Sequence, residues 1–141
     1  MEKKFLMACA AVAALAASVG ASAEVGSDVM AVIDGASLNN NQHNAVKQYA
    51  ESLDRIKNMD LNNQENVISV NKAFMRSQQC LAEIYTVDQK PHMMQVSREV
   101  YNKTFNSDDG IKKYRMFLGQ ALKEGERALP DSASACEFRK N

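Results

Sequence analysis

Apolar residues in this chain recur every three or four positions and almost never every second one. The runs are broken by clusters of Asn, Asp, Ser, Gly and Pro. That spacing lines the apolar side chains along one side of an α-helix, whereas a half-buried strand needs sustained alternation. The expected fold is therefore all-α: a small helical bundle of four main helices plus a short N-terminal one.

The first helix is expected over Asp28 to Ala36, capped by Ser27 or Asp28, with Val29, Ile33 and Ala36 on one side. The second runs from about Asn41 to Met59. Its stripe is Val46, Tyr49, Ala50, Leu53 and Ile56, with Lys47, Glu51, Asp54, Arg55 and Lys57 opposite. Glu51 stands four residues before Arg55, the favourable order for a helical ion pair. The third, Asn63 to Val87, carries Val67, Val70, Phe74, Leu81 and Ile84. Ile68, Met75, Ala82 and Tyr85 widen that surface, which suits a central element.

Pro91 disfavours helical geometry at Lys90 and suits the first turn of a new helix. The fourth helix is expected over Pro91 to Phe105, with Met93, Val96 and Val100 as its stripe and Met94, Tyr101 and Phe105 alongside. Asn106 to Gly110 is a turn in which Ser107 or Asp108 caps the fifth helix. That helix is expected to reach Leu129, with a stripe of Ile111, Tyr114, Leu118, Ala121, Leu122 and Leu129, and Phe117 beside it. Gly119 and Gly125 each cost a helix about 1 kcal/mol and are expected to mark close helix approach. Pro130 stops the helix.

The N-terminus has a different character. Lys3 and Lys4 precede an Ala-rich apolar stretch from Phe5 to Val19, and Gly20-Ala21-Ser22-Ala23 follows. Small residues at −3 and −1 form the A-x-A pattern of a signal peptidase site, so residues 1–23 are expected to be removed between Ala23 and Glu24. The apolar stretch is too short and too weakly hydrophobic to be a membrane anchor. Periplasmic or secreted localisation follows, with one domain over 24–141. The whole chain has 17 basic and 17 acidic side chains. Removing Glu2, Lys3 and Lys4 leaves a nearly neutral protein, which argues against binding to nucleic acid through phosphates.

The domain retains Cys80 and Cys136. Their distance in sequence is unlike the C-x-x-C of redox enzymes. An oxidising compartment favours pairing them. The bond is expected to pin the aperiodic tail, residues 130–141, to the third helix. Closing such a loop stabilises a fold by roughly 4 kcal/mol in the chain-entropy picture.

No catalytic constellation is apparent. His43 and His92 are the only histidines and show no metal-ligand spacing. Methionines such as Met93 and Met94 are soft copper ligands in principle, but at helical spacing they fit a core. No serine lies in a nucleophile elbow. Lys112, Lys113, Arg115, Lys123 and Arg127 are interleaved with acids and form no continuous row. Leu38-Asn39-Asn40-Asn41-Gln42 resembles the L-T-x-x-Q signature of envelope-stress periplasmic chaperones, with Asn39 replacing threonine. A leucine followed by a helix cap accounts for the same residues, and no family is assigned from them.

The expected function is a non-enzymatic one: an exported helical module that binds another protein, in the manner of immunity proteins or holdase chaperones. No cofactor and no metal are expected, and a homodimer is compatible with the wide stripes on the third and fourth helices. The alternative is a carrier of a small ligand or metal in the bundle core.

Overall fold

The structure is a computed structural model and describes residues 24–88, 91–131 and 135–139. The expected export segment and its apolar stretch lie outside the described residues. Among the described residues five α-helices follow one another: α1 (Ser27–Asp34), α2 (Asn40–Asn58), α3 (Gln64–Asp88), α4 (Pro91–Thr104) and α5 (Asp108–Glu124). Short 3-10 turns at Gly125–Ala128 and Glu137–Arg139 complete the described elements, among which there is no strand.

The helix starts obey local chemistry. Asn39 caps α2: its Oδ1 accepts from the Gln42 N–H at 2.8 Å, and Gln42 Oε1 accepts from the Asn39 N–H at 3.1 Å. This reciprocal capping box satisfies two donors that a helix start otherwise leaves unpaired. Its residues are those that resemble the chaperone signature. Ser107 caps α5 by accepting from the Gly110 N–H at 3.0 Å. At α1 the cap is Gly26 rather than Ser27 or Asp28. Asp28 instead turns its Oδ1 back to the Val29 N–H, 2.9 Å away.

The longer and more apolar α3 is central as expected, meeting α2, α4 and α5, but the hub of the bundle is α2. It packs against α1, α3, α4 and α5. Its expected stripe is in the core, with Tyr49 half-buried, and Gln42, Ala45, Gln48 and Ser52 are buried as well. On α3 the inward line is Val67, Asn71, Phe74, Ser77, Cys80, Leu81 and Ile84, while Ala82 and Tyr85 face out. The two helices exchange a hydrogen bond between buried hydroxyls, Ser52 to Ser77 at 3.0 Å. Met93, Val96 and Val100 of α4 are buried as their spacing predicts.

Six aromatic rings run continuously through the interior. Phe74 stacks on Tyr49 and meets Phe117 and Tyr114 edge-on, with centroids 6.1–6.4 Å apart. Tyr114 then joins Tyr101 and Phe105 at 5.1 and 5.0 Å. Such pairs contribute about 0.5–1.5 kcal/mol each beyond their buried area. They tie α2, α3, α4 and α5 to one another.

The fifth helix departs from expectation in two ways. It ends at Glu124, because Gly125 takes φ 61° and ψ −132° and its N–H turns back to the Leu122 carbonyl. A side chain would be strained at that φ. The turn brings Ala128 into the core, where its carbonyl accepts from Asn71 Nδ2 at 2.8 Å. The helix is also rotated: Phe117 and Ala121 are buried, while Leu118 and Leu122 are exposed. Phe117 buries more area than either leucine and wins the inward position. Neither glycine marks a close approach, since no atom lies within 4 Å of an added Cβ at Gly119 or Gly125.

The two glycines therefore respond oppositely to alanine. Gly119→Ala, in open space within a helix, is expected to raise stability by up to about 1 kcal/mol. Gly125→Ala is expected to lower the melting temperature through its left-handed φ. Paired thermal melts check both signs.

Candidate functional site

The C-terminal tail lies across α2 and α3, and the sequence prepares its anchors on those two helices. Cys80 of α3 and Cys136 are joined by a disulfide and are both fully buried, as expected. On α2, Gln48 Nε2 donates to the Ala135 carbonyl at 2.9 Å, and its Oε1 accepts from the Glu137 N–H at 3.0 Å. The two backbone groups flank Cys136, so one side-chain amide clamps the tail where the disulfide crosses. Arg139 pairs with Glu83 at 2.7 Å, and Phe138 packs on the core.

The outward face of α2 forms the floor of a series of clefts. One, of about 230 Å³, lies between residues 24–29, α2 at Asp54 and Lys57, and α4 at Lys103 and Thr104. A broader one of about 530 Å³ is walled by Glu24, Val25, Gly26 and Met30 and floored by Lys47 and Glu51. Toward the tail, Lys47, Gln48, Glu51, Glu137 and Phe138 line a third, of about 150 Å³. Both ends of the described domain thus flank one polar face.

Burial perturbs this face. It raises the Glu51 carboxyl above its ordinary range; Lys47 and Arg55 oppose the shift and Glu137 adds to it. Burial likewise raises the Asp54 carboxyl, opposed by the Glu24 N–H, Lys57 and Asn58. Across the bundle, burial lifts the Tyr49 phenol, with Tyr114 and Tyr101 contributing. Tyr114 is lifted by burial and by Tyr101. Lys113 is lowered by burial, with Asp60 opposing, while its Nζ donates to the Lys57 carbonyl at the end of α2.

The two histidines, far apart in sequence, converge on the end of α1. His43 pairs with Asp34 at 2.9 Å, and His92 lies 2.7 Å from the Ala36 carbonyl. Each thereby helps to fasten α1. Among the described residues no three His, Cys, Asp or Glu side chains come together as a metal site. No described helix is long and apolar enough to cross a membrane. Met93 is core filling.

Sequence reasoning identifies Cys80 and Cys136 but not the grouping of Gln48, Glu51 and Asp54 with the two ends of the domain. Spacing places Glu51 and Asp54 opposite the apolar stripe and gives Gln48 no place in the pattern. A glutamine one position before the stripe residue Tyr49 was the available signal for Gln48. For the carboxylates no signal existed, because their partners, Glu24 and Glu137, lie at the two ends of the domain.

Two outcomes follow. In oxidised protein, Cys80→Ser is expected to lower the melting temperature by several degrees, because the unfolded chain loses its constraint. Glu51 titrates higher in the folded than in the unfolded state, so its ionised form opposes folding above the folded value. That opposition fades as pH falls through that value. Glu51→Gln should therefore melt higher than wild type at pH about 7, with the difference shrinking toward pH about 4. Melts across that range check the sign.

Comparison with known protein families, with curated proteins and with solved structures finds no match to this chain.

Proposed function

We propose that the protein is an exported, non-enzymatic helical module whose α5 surface binds another protein in the periplasm. The observation that carries this reading is the exposed apolar flank of α5. Leu122 is 82% exposed and Leu118 38%, one turn apart, and Leu129 is 50% exposed beyond the 3-10 turn. Single exposed leucines are ordinary on a surface, whereas two one turn apart on a helix whose other side is packed offer the spacing by which an apolar partner groove reads a helix. Export is supported by the basic, Ala-rich and A-x-A succession of residues 1–23. A buried disulfide between Cys80 and Cys136 suits an oxidising compartment.

The carrier reading gains nothing from the geometry. Phe74, Phe117, Leu53, Ile56 and Met93 fill the interior, and the clefts described above open on the polar face of α2. Three serines buried against helical carbonyls or one another, Ser52, Ser77 and Ser97, serve packing.

Cross-linked capture of the exported protein, compared with Leu118→Lys/Leu122→Lys, tests the proposal. A stoichiometric protein partner held by wild type and weakened at least about tenfold by the double variant is the expected result. The melting temperatures of the two proteins should agree, because both positions are exposed. Equal capture by both proteins, or a monodisperse monomer that retains no protein, would contradict it. A particle of twice the monomer mass would identify the partner as a second copy.

A further inference from the structure

Glu24 and Asp54 of α2 line the same cleft, where the Glu24 main-chain nitrogen faces the Asp54 carboxylate and favours its ionised form. The same nitrogen lies at the bond where the A-x-A pattern directs cleavage, Ala23–Glu24. In the precursor it is an amide nitrogen, whereas in a processed chain it is a primary amine that is largely protonated at neutral pH. We propose that removal of the export segment creates an α-ammonium at Glu24 that pairs with the Asp54 carboxylate and fastens the N-terminal segment onto α2. The inference rests on the reading of residues 1–23 as a cleaved signal.

The chemical step is simple hydrolysis. The bond between the Ala23 carbonyl carbon and the Glu24 nitrogen breaks. Water supplies the hydroxyl of the new Ala23 carboxyl and a hydrogen of the new amine. The carboxyl then gives up a proton to solvent, and the amine takes one.

Local structure places that nitrogen. Gly26 caps α1 and its carbonyl accepts from the Met30 N–H at 2.9 Å, while Val25 packs against the core. Glu24 is thus two residues from a fixed helix start. On the other side, Asp54 is oriented by Asn58, whose Nδ2 donates to its Oδ1 at 3.2 Å. An ammonium in place of the amide turns a neutral donor into a charge-assisted one, roughly doubling its strength.

Charge points the same way. The N-terminal segment and α1 contribute the Glu24 side chain and Asp28 to the two larger clefts. The α2 helix contributes Lys47, Glu51, Asp54 and Lys57, and α4 contributes Lys103. Four carboxylates face three lysines, so the lining carries one negative charge in excess, which an α-ammonium balances. The pair has a defined pH window. The amine's pKa is raised by its partner, so its stabilisation is complete below the ordinary α-amine range and lost as pH rises through the folded value. It is also lost in acid, as Asp54 takes up a proton.

The test uses the exported full-length product. Intact mass gives its first residue, and ¹³C-methylation of the α-amine followed by NMR gives its titration. The expected result is a chain beginning at Glu24 whose amine titrates above the ordinary range of about 7.7–8.0. Asp54→Asn should return it to that range and lower the melting temperature by a few degrees at neutral pH but not at strongly alkaline pH. A chain that begins at Glu24 with an ordinary amine would overturn the ion pair and leave the signal reading intact. A mass showing any other first residue would overturn both. The wild-type titration decides the ion pair even where the variant folds poorly.

Discussion

The constraint on which the rest of the structure depends is that α2 is enclosed by all four other helices while its inward side carries polar groups. An amide or hydroxyl shut away from water without a partner costs about 1–3 kcal/mol. Ser52 resolves this by bonding the Tyr49 carbonyl and Ser77 on α3. Gln48 resolves it only through the tail, where both its amide atoms bond main chain. The tail is consequently not an appendage. The disulfide, the Arg139–Glu83 pair and the packing of Phe138 all hold in place a segment that the hub requires. Gln42 shows the same constraint met by half: its Oε1 completes the cap of α2, and its buried Nε2 has no partner among the described residues.

Much of the fold was legible because it follows from apolar spacing. Val46, Leu53 and Ile56, or Met93, Val96 and Val100, have no competitor for the inward position, and burial agrees with their periodicity. The Ser107 cap and the Pro91 helix start follow from local backbone chemistry. Spacing misled where two faces were both apolar. On α5, Phe117 and Leu118 are neighbours, and only the ring contacts of Phe117 with Phe74 and of Tyr114 with Tyr101 decide the rotation. Apolar width marks α3 as a central element, and it packs on α2, α4 and α5; the fuller enclosure of α2 is not visible in spacing, because it is buried through small and amide side chains whose partners are distant in sequence. Gly125 read as a weak point inside a helix and proves to be its end.

The molecule divides its surface by chemistry. The outward side of α2 is polar, lined by the two ends of the described domain, and its carboxylates are perturbed by burial and by one another. The flank of α5 is apolar and turned away from the core. The first suits fastening of the chain's own termini, and the second suits contact with another molecule.

Native-state hydrogen exchange tests the central claim, that α2 is the enclosed hub. Its amides from Val46 to Ile56 should be the slowest in the molecule, opening only with global unfolding. Exchange through α2 at subglobal free energies, with the slowest amides confined to α3, would contradict it.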